Sequence, residues 1–150
     1  MNKATTNSLS SVLNGLIETC RDGQEGFQHA AENVTDITVK AIFERYSAQR
    51  AKFVTQLQVL VRSLGKDAET TSSVAGALHR GWIDLKAAVT SKDEKAILAE
   101  CERGEDSAVA EYRNALDEEL PGDIRSILIM QYGDVQKAHD EIKLLRDTAA

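Results

Sequence analysis

The segment Glu100-Cys101-Glu102-Arg103-Gly104-Glu105-Asp106 sets four carboxylates, an arginine, a thiol and a glycine within about two helical turns. Carboxylates at such spacing are the raw material of a metal site, where several oxygens must turn toward one cation. They serve equally well as a solvated helix face, or as the acidic side of a buried ion pair. Beyond this segment, Glu111 adds a carboxylate and His139 an imidazole.

A carboxylate-bridged dimetal centre in a helical bundle needs a glutamate from each of two helices and a Glu-x-x-His motif from each of the other two. Three residues of separation put both side chains of that motif on one face. The motif is missing. Three positions before His139 stands Gln136, and three after Glu44 stands Ser47. Glu18, Asp22, Glu25 and His29 form an acidic stripe, but at about 100° per residue it lies opposite the Leu16, Cys20, Phe27 line. It is expected to be a solvated face or a surface for a neighbouring helix, with Glu25 and His29 able to hold a metal only adventitiously. Arg50, between Tyr46 and Phe53 on an apolar line, is the third objection. A permanently charged guanidinium there repels a dication and demands an anion.

The elements that must position these residues are helical throughout. Leu9, Leu13, Leu16, Cys20, Gly23, Phe27, Ala30 and Val34 follow an unbroken 4-3 spacing, the mark of one seam on a long helix. Asp36 offers an N-cap to a second helix with seam Val39, Phe43, Tyr46, Arg50, Phe53, Leu57, Leu60 and Leu64, which Gly65 is placed to end. After a polar loop, a shorter helix carries Val74, Leu78, Trp82, Leu85 and Val89, with His79 facing solvent or a neighbour. Ser91 with Glu94 reads as a capping box opening a third long helix along Ile97, Cys101, Gly104, Ala108, Tyr112 and Ala115. Past Pro121 the last helix runs through Ile124, Leu128, Gln131, Val135, Ala138, Ile142 and Leu145. Residues 1–7 read as a flexible tail and residues 8–150 as a single domain.

With 150 residues the chain is long enough for one full core. Four long helices with a shorter one between the second and third give an all-α, ferritin-like four-helix bundle in which the short helix is a crossover. A five-helix up-and-down array has the same local structure and remains the alternative. The net charge of −6, with basic residues scattered, argues against nucleic acid. There is no run long enough for a membrane span and no apolar signal segment near Met1, so a cytoplasmic protein is expected. Cys20 and Cys101 lack a CxxC partner and read as small buried hydrophobes. Gly23 and Gly26 lie inside a helix and follow no strand, so they form no phosphate loop. No nucleophile–base pair stands out, and catalytic residues are not assigned.

In the crossover connectivity the second and third long helices run parallel. Arg50 and Glu105 then fall at one height, each about a dozen residues from its helix start. Glu105 and Glu111 lie roughly 60° from the seam on opposite flanks, whereas Glu102 and Asp106 point away. The expected result is a buried polar layer of Arg50, Tyr46, Glu105 and His139, with Gln131 and Glu111 as a second group.

The stretches LIETCRDGQEGF, SAQRAKF, SVAGALHRGWIDLKAAV, AILAECERGEDSAVAEYRNAL and QKAHDEI together resemble a bacterial family of four-helix-bundle proteins of unknown function, grouped with the ferritin-like or rubrerythrin-like superfamily. The resemblance spans about Leu9 to Arg146. It implies the bundle, a bacterial source, and iron-linked or stress-response roles inherited from distant relatives. Two functions follow. The first is a non-catalytic structural or interaction protein with no cofactor, meeting a protein partner or a second copy through the crossover helix near Trp82. The second is a carboxylate metal protein with iron redox or storage activity, drawing on Glu100, Glu105, Glu111 and His139. A small anionic ligand in the core, held by Arg50 between two glycines, is a third class.

Overall fold

The computed structural model describes residues 3–68, 82 and 84–149. Five helices lie among them: α1 (Lys3–Glu32), α2 (Ile37–Ser63), the short α3 (Leu85–Ser91), α4 (Glu94–Leu116) and α5 (Gly122–Thr148). Caps set several of the boundaries. Asp36 accepts from the backbone N–H groups of Thr38 and Val39 at 2.8 and 3.2 Å, satisfying donors that open α2. Leu64 closes α2 and Gly65 follows at φ +74°, a conformation that glycine enters without steric cost. Pro121 precedes α5, where its missing N–H loses nothing.

Some boundaries differ from the sequence reading. Residues 3–7, read as tail, form the first turns of α1. The cap of α4 is Asp93, which accepts from Lys95 N at 3.1 Å, so Ser91 does not open a capping box with Glu94. Ser91 instead donates back to the Ala88 carbonyl at the end of α3, where Lys92 takes φ 57°. Glu94 reaches across to the Asp36 backbone N–H at 3.4 Å. Val74, Leu78 and His79 lie outside the described residues.

The core falls into two apolar clusters, and their membership reveals helix direction. One gathers the early seam of α1 (Leu13, Leu16, Cys20), the late seam of α2 (Phe53, Leu57, Leu60), late α4 (Ala108, Tyr112) and early α5 (Leu128, Val135). The other gathers late α1 (Phe27, Ala30, Val34), early α2 (Val39, Phe43, Tyr46), early α4 (Ile97, Cys101) and late α5 (Ala138, Ile142). Both α2 and α4 therefore run from the second cluster to the first. They are parallel, and α1 and α5 run against them. The pairs α1–α2, α4–α5, α1–α4 and α2–α5 pack directly, leaving α2 and α4 on a diagonal. That arrangement requires the chain to climb back between Ser63 and Glu94, the crossover connection.

Arg50 and Glu105 stand at the waist between the clusters. On α2, Arg50 lies between Tyr46 and Phe53. On α4, Glu105 lies between Cys101 and Ala108. Both side chains are buried.

The connection is fastened by Trp82. Its ring lies where a Cβ on Gly26 or Gly104 would stand, 2.5 and 2.2 Å from the nearest ring atoms, and it meets Phe27 edge-on with centroids 5.4 Å apart. The two glycines thus open a notch between α1 and α4 that the indole fills. The apolar edge of the crossover, expected to be free for a partner, is partly used within the chain. Trp82 is the sole tryptophan. Gly104→Ala should therefore expel the ring, red-shifting its fluorescence and raising acrylamide quenching. Overpacking of this kind costs on the order of 1–3 kcal/mol, so the bundle should remain folded. Unchanged emission in a folded variant would show that the ring does not sit in the notch.

Candidate functional site: a buried arginine–carboxylate pair at the bundle waist

The Arg50 guanidinium meets Glu105 in a two-pronged bond, Nη1 to Oε1 at 2.5 Å and Nη2 to Oε2 at 2.6 Å. The side chains are 1% and 0% exposed, so water reaches neither. The bond crosses the diagonal from α2 to α4. Its space comes from α1: a Cβ at Gly23 would stand 3.1 Å from Nη1. Phe27 lies with its centroid 5.6 Å from the Arg50 Cζ, in cation–π range. The Arg50 Nε donates weakly to Gln49 Oε1 at 3.4 Å. Burial disfavours the guanidinium charge, but the charge and hydrogen bonds of Glu105 outweigh it, and the arginine pKa is raised. The guanidinium stays charged.

A second polar chain ties all four long helices. The Cys20 Sγ on α1 lies 3.2 Å from the Tyr112 hydroxyl on α4, which donates to Gln131 Oε1 on α5 at 2.8 Å. Gln131 Nε2 in turn donates to Gln56 Oε1 on α2 at 2.9 Å. With the tyrosine proton committed to Gln131, the thiol is the donor to the hydroxyl. Burial pushes Cys20 up to about 11 and Cys101 well above its ordinary value, so both thiols stay protonated. Neither is an activated nucleophile. Burial likewise raises Tyr112.

The remaining candidates are dispersed. Tyr46 is buried but bonds Glu141 on α5 rather than the Arg50 pair, and Arg45 also reaches Glu141 at 3.1 Å. Glu111, expected beside Gln131, is exposed, and Tyr112 takes that place. His139, expected in the core layer, sits on the outer side of the α4–α5 seam, with Nε2 2.6 Å from Asp106 Oδ1 and Nδ1 3.2 Å from Asp140 Oδ1. Burial works against its charge, while the Asp140 and Asp106 bonds work for it and prevail, raising its pKa. Glu102, expected to point away, is buried, with its Oε2 2.5 Å from Arg146 Nη1. From the α1 stripe, Asp22 is buried while Glu25 and His29 are exposed.

Glu100 is a different case. It is buried, its Oε1 accepts no hydrogen bond, and its Oε2 lies 3.7 Å from Arg103. Burial raises its pKa, against the pull of Arg103 and a bond from the Asp84 backbone.

The sequence reading missed Cys20, Tyr112 and Gln56 as polar partners. Cys20 and Tyr112 occupy seam positions in the sequence, and a hydroxyl-bearing side chain on a seam is itself a signal that a partner is needed. Gln56 gave no such signal.

A dimetal centre at the waist does not fit these residues. Among the described residues Glu105 is the carboxylate that meets Arg50, and both its oxygens are taken by that fixed cation. The other groups at hand are thiols, a phenol and an amide held in hydrogen bonds. Chemically, the layer can fix helix positions but offers no open ligand set and no activated base.

This architecture is a ferritin-like all-α bundle with a short helix in its crossover. A solved structure of a mutant of Mycobacterium smegmatis Dps1 shares the fold, with TM-score 0.78 at 13% identity over 96% of this chain and 98% of that one. The chain belongs to the family described as "domain of unknown function (DUF2383)", matched over residues 8–118. A comparison with curated proteins finds no match.

Two predictions follow from the buried charges. Removing one partner of the waist pair, by Arg50→Met or Glu105→Leu, strands a charge and should cost about 3–5 kcal/mol in urea unfolding. The double variant should cost much less than the sum of the two, and additive costs would show that the side chains do not couple. For Glu100, the folded pKa lies above the unfolded one. Its contribution is therefore complete below the ordinary glutamate value of about 4.3 and is lost as pH rises through the folded pKa. Glu100→Gln should accordingly be more stable than the parent near pH 7 and level with it near pH 4. A stabilisation independent of pH would point to a cause other than the charge.

Proposed function

We propose that the protein is a non-catalytic ferritin-like bundle with a structural or interaction role in the bacterial cytoplasm, in the context of a stress response. The observation that carries this reading is the Arg50–Glu105 bond. At the level where inward carboxylates would otherwise collect cations, the chain supplies its own cation and saturates the carboxylate. Partner or second-copy contact would use the outer side of the crossover, where Trp82 is half-buried and Lys86, Ala87 and Thr90 of α3 are exposed. Among the described residues no helix is long and apolar enough to cross a membrane. Basic side chains such as Arg45, Arg103 and Arg146 are engaged by carboxylates rather than gathered into a stripe, which supports a partner other than nucleic acid.

Iron redox or storage is the competing function, supported by the shared fold. It would need Glu105 released from Arg50. Protein purified without chelators and exposed to iron under air is expected to retain no more than one iron per chain, and none that depends on Glu105. Two tightly bound ions per chain, lost on Glu105→Ala, would reverse the assignment.

A further inference from the structure

We propose that Glu102, Asp106 and His139 form a binding site for one first-row divalent cation on the outer face of the α4–α5 pair, separate from the waist. Glu102 and Asp106 are one turn apart on α4, and His139 faces them from α5. One donor atom from each lies within 4.8 Å of the others. That is close enough for a single ion to touch all three after small side-chain movements. One nitrogen and two carboxylate oxygens suit zinc, iron or manganese, and three protein ligands leave a coordination position open. The Asp140 carboxylate on Nδ1 turns the ring so that Nε2 faces α4, the second-sphere role that carboxylates play for metal-bound histidine.

A second observation points the same way. Glu102 is more than nine-tenths buried, yet its Oε2 accepts no hydrogen bond. The Arg146 Nη1 lies 2.5 Å from that oxygen, but as an ion contact outside hydrogen-bond geometry. The oxygen is thus held by charge alone, with acceptor capacity left over that coordination to a cation would use. Arg146 is one-third exposed and already bonds Asp147 at 3.0 Å, so it can leave Glu102 without losing every partner. The arginine is thus a displaceable occupant, unlike Arg50. Access comes along an open groove of about 710 Å³ between α4 and α5, lined in part by Asp106, His139 and Asp140.

The test is calorimetric titration of the chelator-stripped full chain with Zn²⁺, with Co²⁺ visible absorption as a check on ligand geometry. One ion per chain is expected. His139→Ala should weaken binding by about tenfold or more, and Asp140→Asn should weaken it to a smaller extent. Arg146→Met should tighten it several-fold, a result that a merely structural ion network would not give. Asp106→Asn, at an exposed position, provides a variant that will fold if His139→Ala does not, and it too should weaken binding. His29→Ala should leave binding unchanged. Absence of saturable one-to-one binding, an affinity unchanged from the parent in both His139→Ala and Asp106→Asn, or loss in His29→Ala instead would overturn the site. The Arg50→Met, Glu105→Leu double variant, which strands no charge, should leave zinc binding intact, which separates this site from any metal at the waist.

Discussion

The two-pronged bond between Arg50 and Glu105 is the constraint around which this bundle is arranged. A guanidinium and a carboxylate removed from water each carry a desolvation cost of several kcal/mol, repaid only when the geometry is good and every donor and acceptor is used. The pair sits on α2 and α4, which share no direct helix–helix packing, so it must span the diagonal at one height. An axial slip of either helix by a single turn, about 5.4 Å, would break both prongs and leave two buried charges. The bond therefore selects one register of α2 against α4. Because the two run parallel, it also favours the crossover connection over a simple up-and-down chain.

Several small residues acquire their purpose from this arrangement. Gly23 gives the arginine its path across α1, and Phe27 lies against the guanidinium while bearing the Trp82 edge on another side. Gly26 and Gly104 then admit the indole that fastens the crossover. A continuous line of contact leads from the outer strap through Phe27 to the ion pair. The Cys20–Tyr112–Gln131–Gln56 chain adds a neutral polar layer in the first cluster, where each group finds a partner and none is activated.

Charge is used differently inside and outside the bundle. At the waist a carboxylate is saturated by a cation fixed on all sides, which suits a rigid interior and leaves no chemistry open. On the outer α4–α5 face, carboxylates and an imidazole are met by an arginine that can withdraw. The same residue types thus produce a closed structural bond in one place and an exchangeable site in the other. The burial of the cationic partner makes the difference, Arg50 being enclosed and Arg146 one-third exposed.

Residue periodicity by itself determined the long helices, because an apolar position every three or four residues can be buried on only one face of a helix. It also set Arg50 among apolar neighbours, from which the need for an interior anion follows. What it could not decide was which flank of a seam turns inward. Glu105 and Glu111 sit at comparable angles on opposite sides of the α4 seam, yet one is fully buried and the other exposed. The reason is that α4 has neighbours on one flank and solvent on the other, a fact held by the other helices and not by α4. The same applies to His139 and Glu102, placed together by the α4–α5 packing, and to Trp82, whose notch exists only once Gly26 and Gly104 are brought face to face. Helices are local and legible in the chain. Ion pairs, notches and candidate ligand sets join residues tens of positions apart, so the tertiary structure alone decides them.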